Sequence, residues 1–261
     1  MDGSFSIGAN TWFYPHTDGT TPAIVGTSVR GDFLVAAGGG VNANRDGYWS
    51  VPDNSNGPGA GLNGYAGGSY GGWGGVTNTA GVTNGAARPP YGDAALPQYA
   101  GSPGSWINYG NWCGSGRGGG VIHVLAGGRM QIDGSLLANG GNGTLNGGSS
   151  GSGGSILLSS GRLLSGTGTL ESRGATVPVH GWSLDDAHPG GGGRIAIWQY
   201  LPLAAADKRV AEHRTSGLAK VDELRAFDGV INVSEGPPAG HGATPGTVEY
   251  YNALTTIFIV R

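Results

Sequence analysis

A repeat with an offset of 34 residues constrains this chain more than any other feature. Residues 118–141 match residues 152–175 without a gap, and the unbroken offset keeps the apolar positions in phase. Such self-similarity predicts one structural unit used twice, with Ile156 lying above Ile122. The matched pairs are Gly120 and Gly154, Ile122 and Ile156, Gly127 and Gly161, Gly134 and Gly168, Leu136 and Leu170, and Gly140 and Gly174.

Each copy of the repeat predicts two short strands separated by glycine turns. In the first copy, Ile122 and Val124 alternate with other residues, as do Met130 and Ile132, which is the period of a β-strand. Strands this short bury both faces only when they stack on like neighbours and share main-chain hydrogen bonds. We therefore predict an all-β fold, a parallel β-helix or β-solenoid, with residues 1–261 forming a single domain.

Glycine accounts for 56 of the 261 residues, against roughly 7% in ordinary proteins. Glycine loses the most backbone entropy on folding, so this content needs a structural reason. Disorder is a poor explanation, because disordered chains are rich in charge and poor in aromatics, whereas here 12% of residues are charged and there are seven Trp and ten Tyr. A strict G-X-Y period is absent, which excludes collagen. Backbones that approach too closely for side chains remain as the explanation.

Residues 57–120 concentrate glycine and aromatic residues and lack strand alternation. We predict polyglycine-II-like packing here, in which extended glycine segments bond side by side while aromatic rings cover the edges. The alternative is an unstructured loop, but such a loop has little reason to carry so many aromatic side chains.

Residues 203–227 break the pattern, because charge and helix-forming residues are concentrated there. Val210, Leu218, Val221 and Leu224 suit the apolar face of an amphipathic helix, which Gly217 would split. We predict a helical insertion of one or two short helices that covers an edge or an end of the sheets.

The order of motifs over residues 33–251 resembles the glycine-rich β-helical segments of large bacterial surface and secreted proteins. It includes VNANRDGYW, YAGGSYGGWGG, GRGGGVIHV, IDGSLLANGGNG, GSGGSILLSSGRL and GGGGRIAIW. Such segments are common in Verrucomicrobia-like and Planctomycetes-like bacteria and in autotransporter-like adhesins. The resemblance implies a surface location and an architecture, and it brings no catalytic set with it.

The charge balance excludes several partners. A formal net charge of −3 leaves no basic face for nucleic acid, and no stretch reaches the 18 apolar residues of a transmembrane helix. The single cysteine, Cys113, has no partner for an internal disulfide. The first residues lack the basic start and apolar core of a signal peptide, yet low charge with abundant Gly, Asn, Ser and Thr is typical of an extracellular or cell-surface protein.

A calcium loop is the first candidate site. Asn42, Asn44 and Asp46 place oxygen side chains at alternate positions before Gly47, and Asp53 follows. The pattern resembles a D-x-N-x-D-G loop, because Ca²⁺ binds several oxygens that converge around a sharp turn. Asn replaces the usual first Asp, so affinity would be weak. The alternative is a polar turn between strands.

Acid–base chemistry has two further candidate locations. His180, Asp185, Asp186 and His188 could bind a metal or transfer protons, although a solvated loop is the favoured interpretation. The charged side chains predicted on the outer face could instead serve a polysaccharide lyase or hydrolase; they are Arg129, Asp133, Arg162 and Glu171. Outward charges are also the ordinary solubilising choice, so we do not predict an enzyme.

Two functions remain, and we rank a structural role first. Apolar strand-like ends at residues 4–13 and 255–260 predict a homo-oligomer or filament formed by stacking or by exchange of a terminal strand. The second is an adhesin or glycan-binding module, with exposed rings stacking on sugars. The rings predicted for that surface are Tyr70, Trp73, Trp106 and Trp112.

Overall fold

In the residues that the structure describes, three mostly parallel sheets and one short helix form the fold, which is therefore all-β apart from that helix. The computed structural model describes residues 1–15, 22–51, 54–63, 65–76, 78–79, 82–83, 86–106, 114–143, 148–176, 188–237 and 241–254. Everything that follows concerns these residues.

Sheets A and B are made of very short strands. Sheet A has the order β1 (Phe5–Ile7), β4 (Phe33–Val35), β11 (Met130–Ile132) and β14 (Leu164–Ser165). Sheet B has the order β2 (Trp12–Phe13), β5 (Gly40–Asn42), β12 (Ser135–Leu137), β15 (Thr169–Glu171) and β18 (Val230–Asn232). Within both sheets, all of these neighbours pair in parallel.

Sheet C carries the longer strands. Its order is β3 (Ile24–Val29), β10 (Val121–Ala126), β13 (Ser155–Ser160), β16 (Arg194–Gln199), β19 (Thr247–Ala253) and β17 (Leu218–Val221). All pairs are parallel except the last, because β17 runs antiparallel to β19. Two small antiparallel hairpins lie outside the sheets: β6 (Ser50–Val51) with β7 (Asn54–Ser55), and β8 (Asn78–Thr79) with β9 (Val82–Thr83).

The repeat determines the register of the strands. Ile122 pairs with Ile156 in sheet C, and Leu136 pairs with Leu170 in sheet B. The stacking of Ile156 on Ile122 that the repeat predicted is therefore confirmed. The chain passes once through β10, β11 and β12, and then makes an equivalent pass through β13, β14 and β15. The second pass adds one strand to each of the three sheets.

The apolar core lies between the three sheets. Alternate residues of each strand point into it, and they stack in columns because parallel neighbours are in register. The fully buried members include Phe33, Met130 and Ile132 from sheet A, Leu136 and Leu170 from sheet B, and Ile122, Ile156 and Ile195 from sheet C.

A second, smaller cluster covers the outer face of sheet C. Trp198 and Leu157 point outward from their strands and pack against Leu96 and the helix α1 (Leu203–Glu212), whose Ala206 is buried. The predicted helical insertion is therefore present, but only over the first half of residues 203–227. The second half supplies β17, because Gly217 turns the chain at a φ of 80° and the next residues pair with the edge of β19.

Glycine-rich segments form a bundle beside the sheets, with residues 148–154 buried at its centre. The N–H groups of this central segment bond to three neighbours, and two of these neighbours recur at every third residue. Ser150 donates to the carbonyl of His188, and Gly153 donates to that of Gly191. Gly151 donates to Gly141, and Gly154 donates to Ala138. Ser152 donates to Ser102. The carbonyl groups accept from other segments, through Gly116, Gly119, Gly68 and Ala175.

The described parts of the 57–120 segment belong to this bundle. Gly68 donates its N–H to the carbonyl of Ser150, and Gly119 donates to that of Ser152. Buried serines extend the network, since the hydroxyls of Ser105 and Ser149 lie 2.9 Å apart. Backbone groups rather than apolar side chains therefore hold this part of the molecule together.

Gly151 tests that conclusion directly. A Cβ atom at this position would overlap the carbonyl group of Arg117 in the adjacent segment. We expect Gly151→Ala to lower the free energy of unfolding by about 2 kcal/mol or more, because backbone on both sides resists displacement. Urea unfolding followed by tryptophan fluorescence measures the change.

Gly26→Ala is the matched control. Gly26 lies on β3, and no atom lies within 4 Å of the position that its Cβ would take. We expect this substitution to leave stability unchanged or to raise it slightly, because it restricts the unfolded chain. Equal stability of the two variants would contradict close backbone packing at Gly151.

Candidate functional site

We call one end of the sheets the open end, because apolar side chains on two of its edge strands are exposed. The strands β1, β2 and β3 each form the outer edge of a sheet. Phe13 of β2 pairs with Val41, a core residue, so its ring continues a core column, yet it is 51% exposed. Tyr14, the next residue in the chain, is 63% exposed, and Ile24 on β3 is 64% exposed in the outward phase of sheet C. Among the described residues, the sheet B column therefore ends on an uncovered ring, whereas the columns of sheets A and C end on the buried Ile7 and Val29.

The opposite end differs from sheet to sheet. Sheet C ends on the antiparallel strand β17, whose Lys220 forms an ion pair with Glu249 at 2.9 Å. Sheet B ends on β18, where Val230 is 56% exposed and Ile231 is half-buried. Among the described residues, sheet B thus has a free parallel strand at each edge.

The residues predicted to bind calcium take part in backbone interactions. Asn42 Oδ1 accepts the N–H of Asn44 at 3.0 Å, and Asn44 Oδ1 accepts the N–H of Asn139 at 2.7 Å. Asn139 Oδ1 in turn accepts the N–H of Arg173 on the next strand level. This asparagine ladder links the turns that follow β5, β12 and β15.

The calcium prediction itself stays untested. Asp46 follows the ladder in the chain, and Asp53 lies outside the described residues. No group of three or more His, Cys, Asp or Glu side chains in the described part of the chain is arranged to hold a metal ion.

Tyr70 lies inside the bundle and presents no face to a sugar. Its hydroxyl lies 2.6 Å from Ser155 Oγ, its ring packs on Tyr91 at 4.8 Å, and the Arg194 guanidinium lies 5.5 Å from the ring centre. Burial raises the pKa of Tyr70 to about 12. Tyr70 therefore joins the bundle to the outer face of sheet C.

The other predicted aromatic residues are placed differently. Trp73 is 43% exposed, and its backbone is fixed by Thr244, whose hydroxyl accepts the Trp73 N–H at 2.8 Å and whose own N–H donates to the Trp73 carbonyl at 3.0 Å. Trp106 is half-buried. Trp112 lies outside the described residues.

Of the second predicted group, only His188 is described; His180, Asp185 and Asp186 lie outside the described residues. His188 is fully buried, and its ring contacts the edge of Tyr65 at 5.6 Å. Burial, with a smaller contribution from His241, lowers the pKa of His188 to about 4. His188 is therefore neutral at physiological pH.

Three of the four charged residues considered for an enzyme, all except Arg162, have side-chain partners among the described residues. Arg129 forms an ion pair with Asp32 at 3.0 Å, and Glu171 forms one with Arg173 at 3.3 Å. Asp133 accepts hydrogen bonds from Gln131 Nε2 and from a backbone N–H of the next strand level. The Arg129–Asp32 pair and the backbone bond to Asp133 connect successive strand levels, whereas Glu171 and Arg173 lie on the same level.

A cleft of about 450 Å³ opens where strands β16 and β19 of sheet C end. It was not predicted from the sequence. Two amide side chains, Gln199 and Asn252, lie in register at the ends of β16 and β19 and line it. The sequence does contain a sign of this cleft. Alternate residues of β16 point into the core, and after Ile195 and Ile197 the next such position is the polar Gln199. The other lining residues are Leu163, Tyr200, Val221, Asp222, Glu223 and Arg225.

No family model matches the sequence, and neither a curated protein nor a solved structure shows significant similarity to it. The described residues include no helix with the length and apolar character needed to span a bilayer. The functional argument therefore depends on the open end, the exposed tryptophan and the cleft themselves.

The buried His188 predicts a loss of stability in mild acid. In the unfolded chain its pKa returns to about 6.5, so below that pH the unfolded state binds a proton that the folded state does not. Above about pH 6.5, the burial of neutral His188 carries no cost in free energy of unfolding. As the pH falls from there towards about 4, the free energy of unfolding decreases by about 3 kcal/mol in all. We expect His188→Gln to reduce the difference in unfolding free energy between about pH 7 and about pH 5.

His213→Asn is the control, since His213 is exposed at the end of α1 in a left-handed conformation that Asn tolerates. Urea unfolding at the two pH values compares the variants. An unchanged pH dependence in His188→Gln would show that other groups, including the buried His123, account for it.

Proposed function

We propose that the three sheets form a parallel β-solenoid and that the glycine bundle is polyglycine-II-like. Three observations support this architecture: three successive passes each add one strand to every sheet, the core columns are in register, and the bundle bonds with a three-residue period. An extended helix with three residues per turn and no internal hydrogen bonds directs its backbone groups to different neighbours in that way.

We further propose that the protein is an extracellular structural protein that assembles end to end into a filament or surface matrix. The observation that carries this proposal is the uncovered core column at Phe13. An apolar ring half exposed on a strand with unpaired backbone groups is a template for another strand.

Sheet B favours addition in one direction. Its free edges are β2, carrying Phe13, and β18, carrying Ile231 in the same column. If β18 of one copy pairs with β2 of the next, the column continues across the contact. Contacts between two different surfaces do not close on themselves, so they generate filaments.

Lysine at the open end is expected to prevent assembly. Phe13→Lys and Ile24→Lys each place a charge where the edge must be desolvated, and both side chains are at least half exposed, so the fold tolerates them. We expect either substitution to raise the concentration needed for assembly by roughly tenfold or more. Light scattering against concentration, with electron microscopy of the particles, measures this.

Tyr99→Ser serves as the control, because Tyr99 is also an exposed ring but its carbonyl is hydrogen-bonded to Ser155 of β13, in the middle of sheet C. It is expected to assemble like the unchanged protein. A strictly monomeric protein at all concentrations would refute the proposal. A dimer that grows no further would show that two open ends meet, and would rule out the filament.

A second function, an adhesin or glycan-binding module, is supported by Trp73. Its exposed ring stands on a backbone that Thr244 fixes from both sides, so little side-chain and loop entropy is lost on binding. Aromatic rings held in this way suit stacking on sugar faces.

The glycan function predicts that Trp73→Ala abolishes binding to polysaccharides on a glycan array while the oligomeric state is unchanged. Phe13→Lys is the reciprocal control, because it alters the open end and leaves Trp73 in place. Binding that survives Trp73→Ala would exclude this ring as the contact.

A further inference from the structure

The cleft lies at the ends of β16 and β19, where the chain leaves the sheets after β16. After β16, Tyr200 adopts a left-handed conformation with a φ of 58°, and the chain departs into α1 and β17 before returning through residues 222–225. The described chain next meets sheet A at the bridge between Gly166 and Phe227. The detour leaves an indentation beside the ends of β16 and β19.

The oxygen atoms of two amide side chains at the cleft wall lack hydrogen-bond partners among the described residues. Gln199 is only 3% exposed, and neither its Oε1 nor Asn252 Oδ1 accepts a hydrogen bond within the described residues. Buried polar atoms are nearly always paired, so two unpaired amide oxygens on neighbouring strands require an explanation. A ligand that supplies hydrogen bonds in the cleft provides one.

The charges of the cleft select the ligand. Asp222 and Glu223 accept hydrogen bonds, whereas Arg225 donates them, and all three residues are exposed. Two carboxylates disfavour an anion, the guanidinium disfavours a bare cation, and the buried amides disfavour an apolar molecule. A neutral molecule with many hydroxyl groups can donate to the carboxylates and amide oxygens while it accepts from Arg225.

Size and shape agree with a small polar ligand. A volume of about 450 Å³ lies within the range of about 300–1,000 Å³ that is usual for small-molecule sites. Tyr200 is 48% exposed at the cleft and offers an aromatic face, and Leu163 and Val221 supply apolar contact. Sugars combine hydroxyl edges with apolar ring faces.

We propose that this cleft is a saccharide-binding site, in which the amides of Gln199 and Asn252 bind sugar hydroxyl groups and the charged residues of the 222–225 loop fix the orientation of the sugar. The site is separate from Trp73 and from the open end. The proposal does not depend on filament assembly.

Binding of neutral methyl glycosides tests the proposal. Methyl glycosides of glucose, galactose, mannose and N-acetylglucosamine are titrated into the full chain and followed by calorimetry and by saturation-transfer NMR. We expect at least one of them to bind, and we expect Gln199→Leu and Asp222→Asn each to weaken that binding by roughly tenfold or more.

The variants separate binding from folding. Gln199→Leu replaces a buried amide, whose oxygen is unpaired among the described residues, by an apolar side chain of similar size. The stability of the fold is therefore expected to be retained or increased. Asp222→Asn changes an exposed side chain and is a second, independent test. Asp228→Asn is the matched control, because Asp228 is exposed on the same loop but does not line the cleft.

Three results would overturn the proposal. These are no binding of any of the four glycosides, binding that persists in Gln199→Leu, and a Ca²⁺-dependent increase in melting temperature that Asp222→Asn removes while no sugar binds. Loss of sugar binding in Trp73→Ala with full binding in Gln199→Leu would assign the sugar to the tryptophan surface. Light scattering of the same samples reports assembly separately, so failure of one proposal does not imply failure of the other.

Discussion

Direct hydrogen bonding between closely approaching backbones is the constraint on which the rest of the structure depends. In the bundle around residues 148–154, each backbone is surrounded by others, and a side chain such as one at Gly151 would overlap its neighbour. Glycine is therefore required for contact rather than for flexibility. The entropy that glycine loses on folding is offset by hydrogen bonds that water cannot reach.

The bundle and the sheets stabilise each other because the chain alternates between them. After β12 the chain enters the bundle through residues 138–143 and 148–154 before it becomes β13, and after β15 it re-enters through residues 172–176 and 188–193 before β16. The apolar columns fix the register of the strands, and that register brings the glycine segments side by side. Tyr70 connects the two regions through its contacts with Ser155 and Arg194.

The sequence predicted the register well, because an offset of 34 residues carries the same apolar phase from Ile122 to Ile156. It could not place features that join unrelated segments. Gln199 and Asn252 belong to no visible repeat, so only the fold shows that their strands are neighbours. Tyr70 was predicted on a surface because aromatics among glycines cannot themselves show which segment encloses them. The 218–221 strand was predicted as helix because its apolar spacing suits both, and pairing with the free edge of β19 decides between them.

The buried serines and glycines of the bundle also affect how the protein responds to temperature. Exposure of apolar surface raises the heat capacity on unfolding, whereas exposure of polar surface lowers it. A structure that buries so much amide and hydroxyl surface beside a narrow apolar core has a small heat-capacity change for its length. Its free energy of unfolding therefore changes little with temperature. The fold remains stable at low temperature, where hydrophobic association weakens.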